Sequence, residues 1–164
     1  MNDKKSKTIN FVNFLINNRE NNGFLSDLKK LSYNDNRRLL GLRHIINFIS
    51  YNEEAYCFVA EQFAHSRCKY NQDISLPKAL SILKYKNKFS ASLESKFDYM
   101  LSSSNILPDF NTLNCFIRIL INQNMYFDWQ LLLRDLCHWG DYSSWVQKNW
   151  IKEFHGKLDI GEDL

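Results

Sequence analysis

Apolar residues recur with helical spacing along most of the chain. The clearest stripe lies in segment 111–122, where the apolar positions are Leu113, Phe116, Ile117, Leu120 and Ile121. This i, i+3, i+4, i+7, i+8 spacing places the five side chains on one face of an α-helix. Similar stripes predict helices over 9–16, 35–49 and 53–64. The pattern therefore predicts an all-α fold, a compact helical bundle of about seven to eight helices.

Polar residues next to these stripes predict where several helices begin and end. Asn52, Ser75 and Asp128 each precede an apolar stripe and have side chains suited to capping a helix N-terminus. Gly140 stands where the helix that starts after Asp128 is expected to end in a left-handed turn. The last helix is expected to start at Ser143 or Ser144 and to stop at Gly156.

A chain of 164 residues is long enough to bury one hydrophobic core. We expect a single domain over residues 1–164. The polar linker 67–73 leaves open a division into two small lobes, 1–70 and 74–156, with 157–164 as a frayed acidic tail.

Composition supports a folded, helical protein. Apolar residues make up 45% of the chain and charged residues only 24%, which excludes an intrinsically disordered segment. Five glycines and two prolines are too few to supply the turns of a many-stranded sandwich or barrel. Because no apolar run approaches the 18 residues of a membrane span and no signal peptide is recognisable, we expect a cytoplasmic protein without a membrane partner.

Positive charge is concentrated in the first half of the sequence. Residues 1–90 hold 15 Lys and Arg against 8 Asp and Glu, a net +7, whereas 91–164 hold 6 against 10, a net −4. This asymmetry is typical of a protein that binds a polyanion or an acidic surface, although a solvated basic face gives the same numbers.

The cysteines and histidines do not predict a metal or catalytic centre. The four cysteines lack CxxC spacing, and we expect all of them to be reduced: Cys57, Cys68, Cys115 and Cys137. Three of the four lie in apolar helical patterns, where a cysteine packs as a small apolar group. His65 with Cys68, and Cys137 with His138, are the nearest approach to a zinc-ligand set, but they lack the spacing of a zinc site. We expect no metal, no cofactor and no catalysis.

The four tryptophans fall in one 22-residue window, a density that also occurs in base-stacking platforms: Trp129, Trp139, Trp145 and Trp150. Their helical spacing favours core packing instead. Arg118 shares the polar face of segment 111–122 with Asn111 and Asn122, where it is either a solvated side chain or a phosphate contact.

Segment 128–140 reads DWQLLLRDLCHWG and precedes a last amphipathic helix. This pattern resembles the CasB family, the small subunit of the type I-E CRISPR surveillance complex Cascade. The likeness continues upstream through the basic apolar segment 116–120, through 74–80, and through Gly23 followed by the pair Lys29-Lys30. It therefore covers most of the chain, in order.

The resemblance implies an all-helical, non-catalytic subunit present as two copies beside the other Cascade subunits. Such a subunit helps hold the guide RNA and target DNA together and binds the displaced single-stranded DNA without sequence specificity. Carried over position by position, the expected strand contacts are Lys29 or Lys30, then Lys96 and Arg118, with Lys78 as a further candidate.

Two departures from the family pattern change where basic residues are expected. After Gly140 the family commonly has basic residues, whereas this chain has Asp141 and Tyr142. A further basic run looks like an insertion, and we expect it to restore positive charge: Lys84, Lys86 and Lys88. The alternative function is a helical adaptor whose basic half docks an acidic protein, and salt-dependent DNA binding separates the two hypotheses.

Overall fold

The computed structural model describes residues 2–66, 69–106 and 109–156, which form nine α-helices and one 3₁₀ turn and contain no β-strand. The helices are α1 (Asn2–Asn17), α2 (Asn22–Leu28), α3 (Arg38–Ile45), α4 (Glu53–His65), α5 (Leu76–Tyr85), α6 (Ala91–Leu101), α7 (Phe110–Asn122), α8 (Trp129–Cys137) and α9 (Trp145–His155). The all-α prediction is confirmed, and the predicted count of seven to eight helices is too low.

One short helix contributes to the difference in number. α2 has only seven residues, so two turns are too few to show a periodic apolar stripe. The predicted helices do not include α6 either, although its Leu93, Phe97, Met100 and Leu101 have helical i, i+4, i+7, i+8 spacing. The single helix predicted over 35–49 is also wrong, because α3 covers only part of it and a 3₁₀ turn, Ile46–Phe48, follows.

The chain divides into two compact units. The first consists of residues 1–73 together with 128–138, and the second of 74–127 together with 139–164. The chain thus completes most of the second unit before it adds α8 to the first. The predicted tail, 157–164, and Cys68 lie outside the described residues, and the single-domain organisation stays a prediction.

In the first unit, α8 packs against α1 and α4, while α2 packs against α3 and α4. The core is largely aromatic: Phe11 meets Tyr56 at 4.9 Å between ring centroids, and Phe63 meets Trp129 edge-on at 5.8 Å. The indole N–H of Trp129 donates to the Lys69 carbonyl at 2.8 Å. A buried tryptophan thereby satisfies its polar atom, as burial requires.

In the second unit, α5 packs against α7 and α9, and α6 packs against the same two helices. Phe97 of α6 lies parallel to Trp150 of α9 at 6.1 Å and contacts Phe154 at 4.4 Å. Trp139 meets Trp150 edge-on at 5.1 Å, and its N–H donates to the Ser103 carbonyl at 3.0 Å. These rings form the core that holds α6 and α9 together.

The predicted helix starts are confirmed in part. The side chains of Asn52, Ser75 and Asp128 accept hydrogen bonds from the first-turn amides of α4, α5 and α8. Ser144 stands at the N-cap of α9, but its side chain makes no capping bond. The predicted stop at Gly156 is confirmed, since that residue is the C-cap of α9.

The left-handed turn predicted at Gly140 is wrong, because no described glycine has a positive φ. α8 ends earlier, at Cys137, and the chain enters the second unit with the buried Trp139. Left-handed backbone in the described residues belongs to three asparagines, one aspartate and one serine: Asn52, Asp73, Asn87, Asn124 and Ser144. Asn and Asp tolerate this conformation better than most residues, so the protein makes such turns with few glycines.

None of the described helices combines the length and hydropathy needed to cross a membrane.

Candidate nucleic-acid interface

Lys29 and Lys30, predicted from the sequence as strand contacts, follow the last turn of α2 in the first unit. Lys29 is exposed, and Lys30 donates to Oδ1 of Asp27 at 2.8 Å. From α3, Arg43 donates to Oδ2 of Asp27 at 2.9 Å, and Nε2 of His44 lies 3.1 Å from the same oxygen. We call Asp27, Lys29, Lys30, Arg43 and His44 the Asp27 cluster.

A glycine lets α3 come close enough to form this cluster. A Cβ atom at Gly41 would lie 2.7 Å from Cγ of Leu31 and 2.8 Å from the backbone oxygen of Asp27. No side chain fits that space without displacing backbone. Gly41 thus permits the helix contact that carries Arg43 and His44 to Asp27, and nothing in the linear sequence around Lys29 indicates these two partners.

The Asp27 cluster keeps a positive balance. Hydrogen bonds from Lys30, then from His44 and Arg43, hold the pKa of the Asp27 carboxyl well below its usual range. The carboxylate therefore stays ionised at neutral pH and opposes the three permanent cations Lys29, Lys30 and Arg43. The side chain of Arg43 is 62% exposed, so its guanidinium can still reach a solvent anion.

In the second unit, the basic run around the end of α5 contains both paired and unpaired cations. Nζ of Lys84 lies 2.6 Å from Oε1 of Glu94 and 5.0 Å from the centre of the Phe154 ring. Lys86 and Lys88 are exposed and make no ion pair within the described residues. The charge of Lys84 is thus largely neutralised by Glu94 within the unit, whereas the charges of Lys86 and Lys88 face solvent.

Lys78, Lys96 and Arg118 are exposed on α5, α6 and α7, and none has an ion-pair partner in the described part of the chain. Lys96 lines a groove of about 530 Å³ between α6 and α7. Arg118 continues the exposed stripe of α7 that includes Asn111 and Asn122, as the sequence predicted. Within residues 2–66, 69–106 and 109–156, six of the eight predicted cations are therefore without an ion pair: Lys29, Lys78, Lys86, Lys88, Lys96 and Arg118.

The tryptophans are not a base-stacking surface. Trp129, Trp139 and Trp150 are fully buried, and half-buried Trp145 donates its N–H to Asp141 at 3.2 Å. This confirms core packing for three of the four. The exposed aromatic rings are tyrosines instead, a feature that the sequence analysis missed: Tyr33, Tyr70, Tyr85, Tyr99 and Tyr142.

The structure agrees with the expected thiol chemistry at two of the described cysteines. Cys57 is buried and Cys137 is half-buried, and burial raises the pKa of the Cys57 thiol to about 12. Cys115 is exposed on α7, so its prediction as a packed apolar group is wrong: it lies on the polar stripe of that helix. Among the described residues, no group of three His, Cys, Asp or Glu is placed to hold a metal ion.

The family model of CRISPR-associated protein Cse2 matches residues 29–155. The chain belongs to the Cse2 family. All eight cations predicted from the sequence lie within the matched residues. The resemblance to CasB proteins is thereby confirmed, since Cse2 and CasB name the same family.

Solved structures share the fold. The Cse2-family CRISPR-associated protein of Thermus thermophilus has a TM-score of 0.76 at 19% identity, with 92% of this chain and 98% of that chain covered. M. ruber CasB has a TM-score of 0.69 at 18% identity, covering 91% and 92%. A chain of a CRISPR RNA-guided surveillance complex, pre-nicking, has a TM-score of 0.78 at 20% identity, covering 92% and 93%. No curated protein matches the sequence.

Proposed function

We propose that this Cse2-family chain is the non-catalytic small subunit of a type I-E CRISPR surveillance complex. In this role two copies stand beside the other Cascade subunits, support the guide RNA and target DNA, and hold the displaced single strand. Membership of the Cse2 family supports the proposal that the chain is a subunit of such a complex. The observation that carries the strand-binding role is the set of exposed cations without ion pairs in the described residues, because an unpaired cation can neutralise a phosphate at no internal cost.

The mechanism is electrostatic and does not read sequence. Base pairing with the guide selects the target, and exchange of a DNA duplex for an RNA–DNA duplex is nearly balanced in free energy. Three or four phosphate contacts, each worth up to about 1 kcal/mol, shift such a balance by about tenfold or more. Lysine supplies a point charge where arginine would grip two phosphate oxygens, which suits a strand held without fixed register.

Exposed apolar residues on the first unit fit the docking of another subunit. Leu39 of α3 is 60% exposed and Ile46, just after α3, is 49% exposed. Leu40 of α3 is exposed as well, and exposed large apolar side chains that lie close together mark protein contacts. The same feature suits the alternative, an adaptor that docks an acidic protein, so DNA binding must separate the two.

The experiment is footprinting of the displaced strand in the reconstituted complex on matched target DNA. A triple variant, Lys29→Ala, Lys96→Ala and Arg118→Ala, removes three unpaired cations. The matched control is Lys148→Ala with Lys152→Ala, two exposed lysines of α9 outside the predicted set. We expect both proteins to assemble with unchanged melting temperature, since such surface changes cost at most about 0.5 kcal/mol.

Only the triple variant should lose protection of the displaced strand and shorten the lifetime of the opened DNA. Full protection by the triple variant would show that these cations are not the contact surface. If neither variant nor parent protects the strand, the adaptor hypothesis is favoured.

A further inference from the structure

The groove between α6 and α7 in the second unit has the size of a ligand site. Its volume is about 530 Å³, within the range of about 300–1,000 Å³ typical of small-molecule sites. Ser92, Ser95, Lys96 and Tyr99 line it from α6, and Asn111 and Thr112 from α7. It lies among helices whose cores are already filled by Phe97 and Phe116, so the groove is a surface feature and not a packing gap.

The chemistry of the groove suits an aromatic, anionic ligand. Tyr99 is 74% exposed and makes no ring contact within the described residues, so a face of its ring is open to stacking. Lys96 supplies a positive charge, and the described residues that line the groove include no carboxylate. The amide of Asn111 and the hydroxyl of Thr112 can donate to and accept from the edge of a polar ring. The Ser95 hydroxyl already donates to the Ala91 carbonyl at 3.1 Å, so its oxygen can serve only as an acceptor.

A second cation extends this surface along α7. Cys115 lines the groove, and Arg118 lies three residues later on the same exposed stripe. Three residues advance an α-helix by about 4.5 Å and return nearly to the same face. A strand that leaves the groove along α7 therefore passes Arg118.

We propose that the α6–α7 groove takes a nucleobase of single-stranded DNA, stacked on Tyr99, with a neighbouring phosphate on Lys96 and the next part of the backbone on Arg118. The inference deepens the proposed strand-binding function and rests on it. An exposed aromatic beside unpaired cations is the arrangement by which proteins bind single strands without sequence preference, because every base has a stacking face. Stacking on Tyr99 would add affinity for the bases, beyond the attraction of the cations for the phosphates, and neither interaction depends on the base sequence.

The test compares two probes on the full chain: an oligothymidine of about 15 nucleotides and an abasic strand of equal length. Tyr99→Ala should weaken binding of the oligothymidine about fivefold or more and leave the abasic strand unaffected. Tyr99→Phe, which keeps the ring, should bind both strands as the parent does. Lys96→Ala should weaken both, since it removes a phosphate contact.

The matched control is Tyr142→Ala, which removes another exposed tyrosine of the second unit outside the groove and should change neither affinity. Equal binding of oligothymidine by Tyr99→Ala and parent overturns the base site. If the parent binds both strands equally and with salt dependence, strand binding stands and only the base site fails. If the parent binds neither strand at low salt, the proposed strand-binding function is wrong, and the base site, which rests on it, is wrong as well.

Cys115 gives an independent readout inside the groove. Oligothymidine at saturation should slow alkylation of Cys115 by iodoacetamide in the parent, measured by mass spectrometry of its peptide. The protection should disappear in Tyr99→Ala at the same strand concentration. An alkylation rate that saturating strand does not change in the parent would place the base elsewhere and overturn the proposal.

Discussion

Asp27 organises the basic surface of the first unit although it is itself an acid. Three side chains meet its two oxygens, and they come from two different segments of the chain. Without this carboxylate, the cations Lys30 and Arg43 would repel one another at close range. The acid thus allows a dense group of cations to exist while a net positive charge remains for a ligand.

The lowered pKa of Asp27 predicts a pH-dependent contribution to stability. Its ordinary value is 3.8, and the folded protein holds it lower. The ionised carboxylate therefore stabilises the fold fully above about pH 4, and this contribution is lost as the pH falls through the lowered pKa. Asp27→Asn should lower the melting temperature at pH 7, and its difference from the parent should shrink as the pH is taken below about 4.

Thermal unfolding followed by circular dichroism from pH 7 to pH 3 measures this difference. Glu20→Gln is the control, because that carboxylate is 92% exposed and its pair with Arg19 is long, at 3.5 Å. It should be near neutral at every pH. A destabilisation by Asp27→Asn that is the same at pH 7 and pH 3 would contradict an ionic role.

Helix α8 depends on one buried cap that also ties down a loop of its unit. Oδ1 of Asp128 accepts from the amides of Gln130 at 2.8 Å and Leu131 at 3.4 Å. Oδ2 accepts from the amide of Asp73 at 3.1 Å, where the backbone is left-handed. One side chain therefore starts α8 and fixes the end of the segment that leads out of the first unit.

Asp128→Ala should destabilise the protein by about 1–2 kcal/mol, since it removes an N-cap and leaves backbone amides without their partner. Asp128→Asn keeps an acceptor for the cap but cannot accept from Asp73 with its amide nitrogen, so its cost should be smaller. Asp109 stands at the N-cap of α7 without a capping bond, which makes Asp109→Ala the matched control. Urea unfolding measures all three, and equal destabilisation by Asp128→Ala and Asp109→Ala would contradict the capping role.

For the molecule as a whole, the net charge of +3 understates its attraction to a polyanion. Residues 1–90 carry +7 and 91–164 carry −4, but Lys96 and Arg118 are cations within the acidic half that have no ion-pair partner among the described residues. Local unpaired cations decide phosphate binding, because charges are screened beyond about 8–10 Å at physiological salt.

This distribution predicts the salt dependence of strand binding. The slope of log K against log salt is about −0.7 per phosphate neutralised on a single strand. Replacing Lys29, Lys96 and Arg118 by alanine should therefore make the slope shallower by about 0.7 for each phosphate that is no longer neutralised. Fluorescence anisotropy of a labelled oligonucleotide at several KCl concentrations measures it, and an unchanged slope would exclude these residues from the strand-binding surface.

Local sequence was sufficient wherever the physics is local. A helix stripe, an N-cap such as Asp128 and the Ser75-Leu76-Pro77 start of α5 involve residues within one or two turns of one another, so spacing alone predicts them. The short helix α2 was not predicted, because its two turns are too few to show a periodic stripe. Helix α6 was not predicted either, although Leu93, Phe97, Met100 and Leu101 have helical spacing, so in that case the signal was present in the sequence. The left-handed turn predicted at Gly140 was wrong, because a glycine near a helix end has the same sequence signature as a C-cap. The structure shows instead that no described glycine has a positive φ and that Trp139, just before Gly140, is buried.

The sequence by itself determined the all-helical fold, the family pattern and the list of candidate cations. Tertiary structure alone decided which cations are paired with a carboxylate and which are available to a phosphate. Lys84 pairs with Glu94, ten residues away. Arg43 pairs with Asp27 across a helix contact that Gly41 permits. It also decided that three of the tryptophans are buried while Tyr99 faces a groove. Charge pairing and burial depend on contacts between residues distant in the chain, and spacing along the chain carries no record of those contacts.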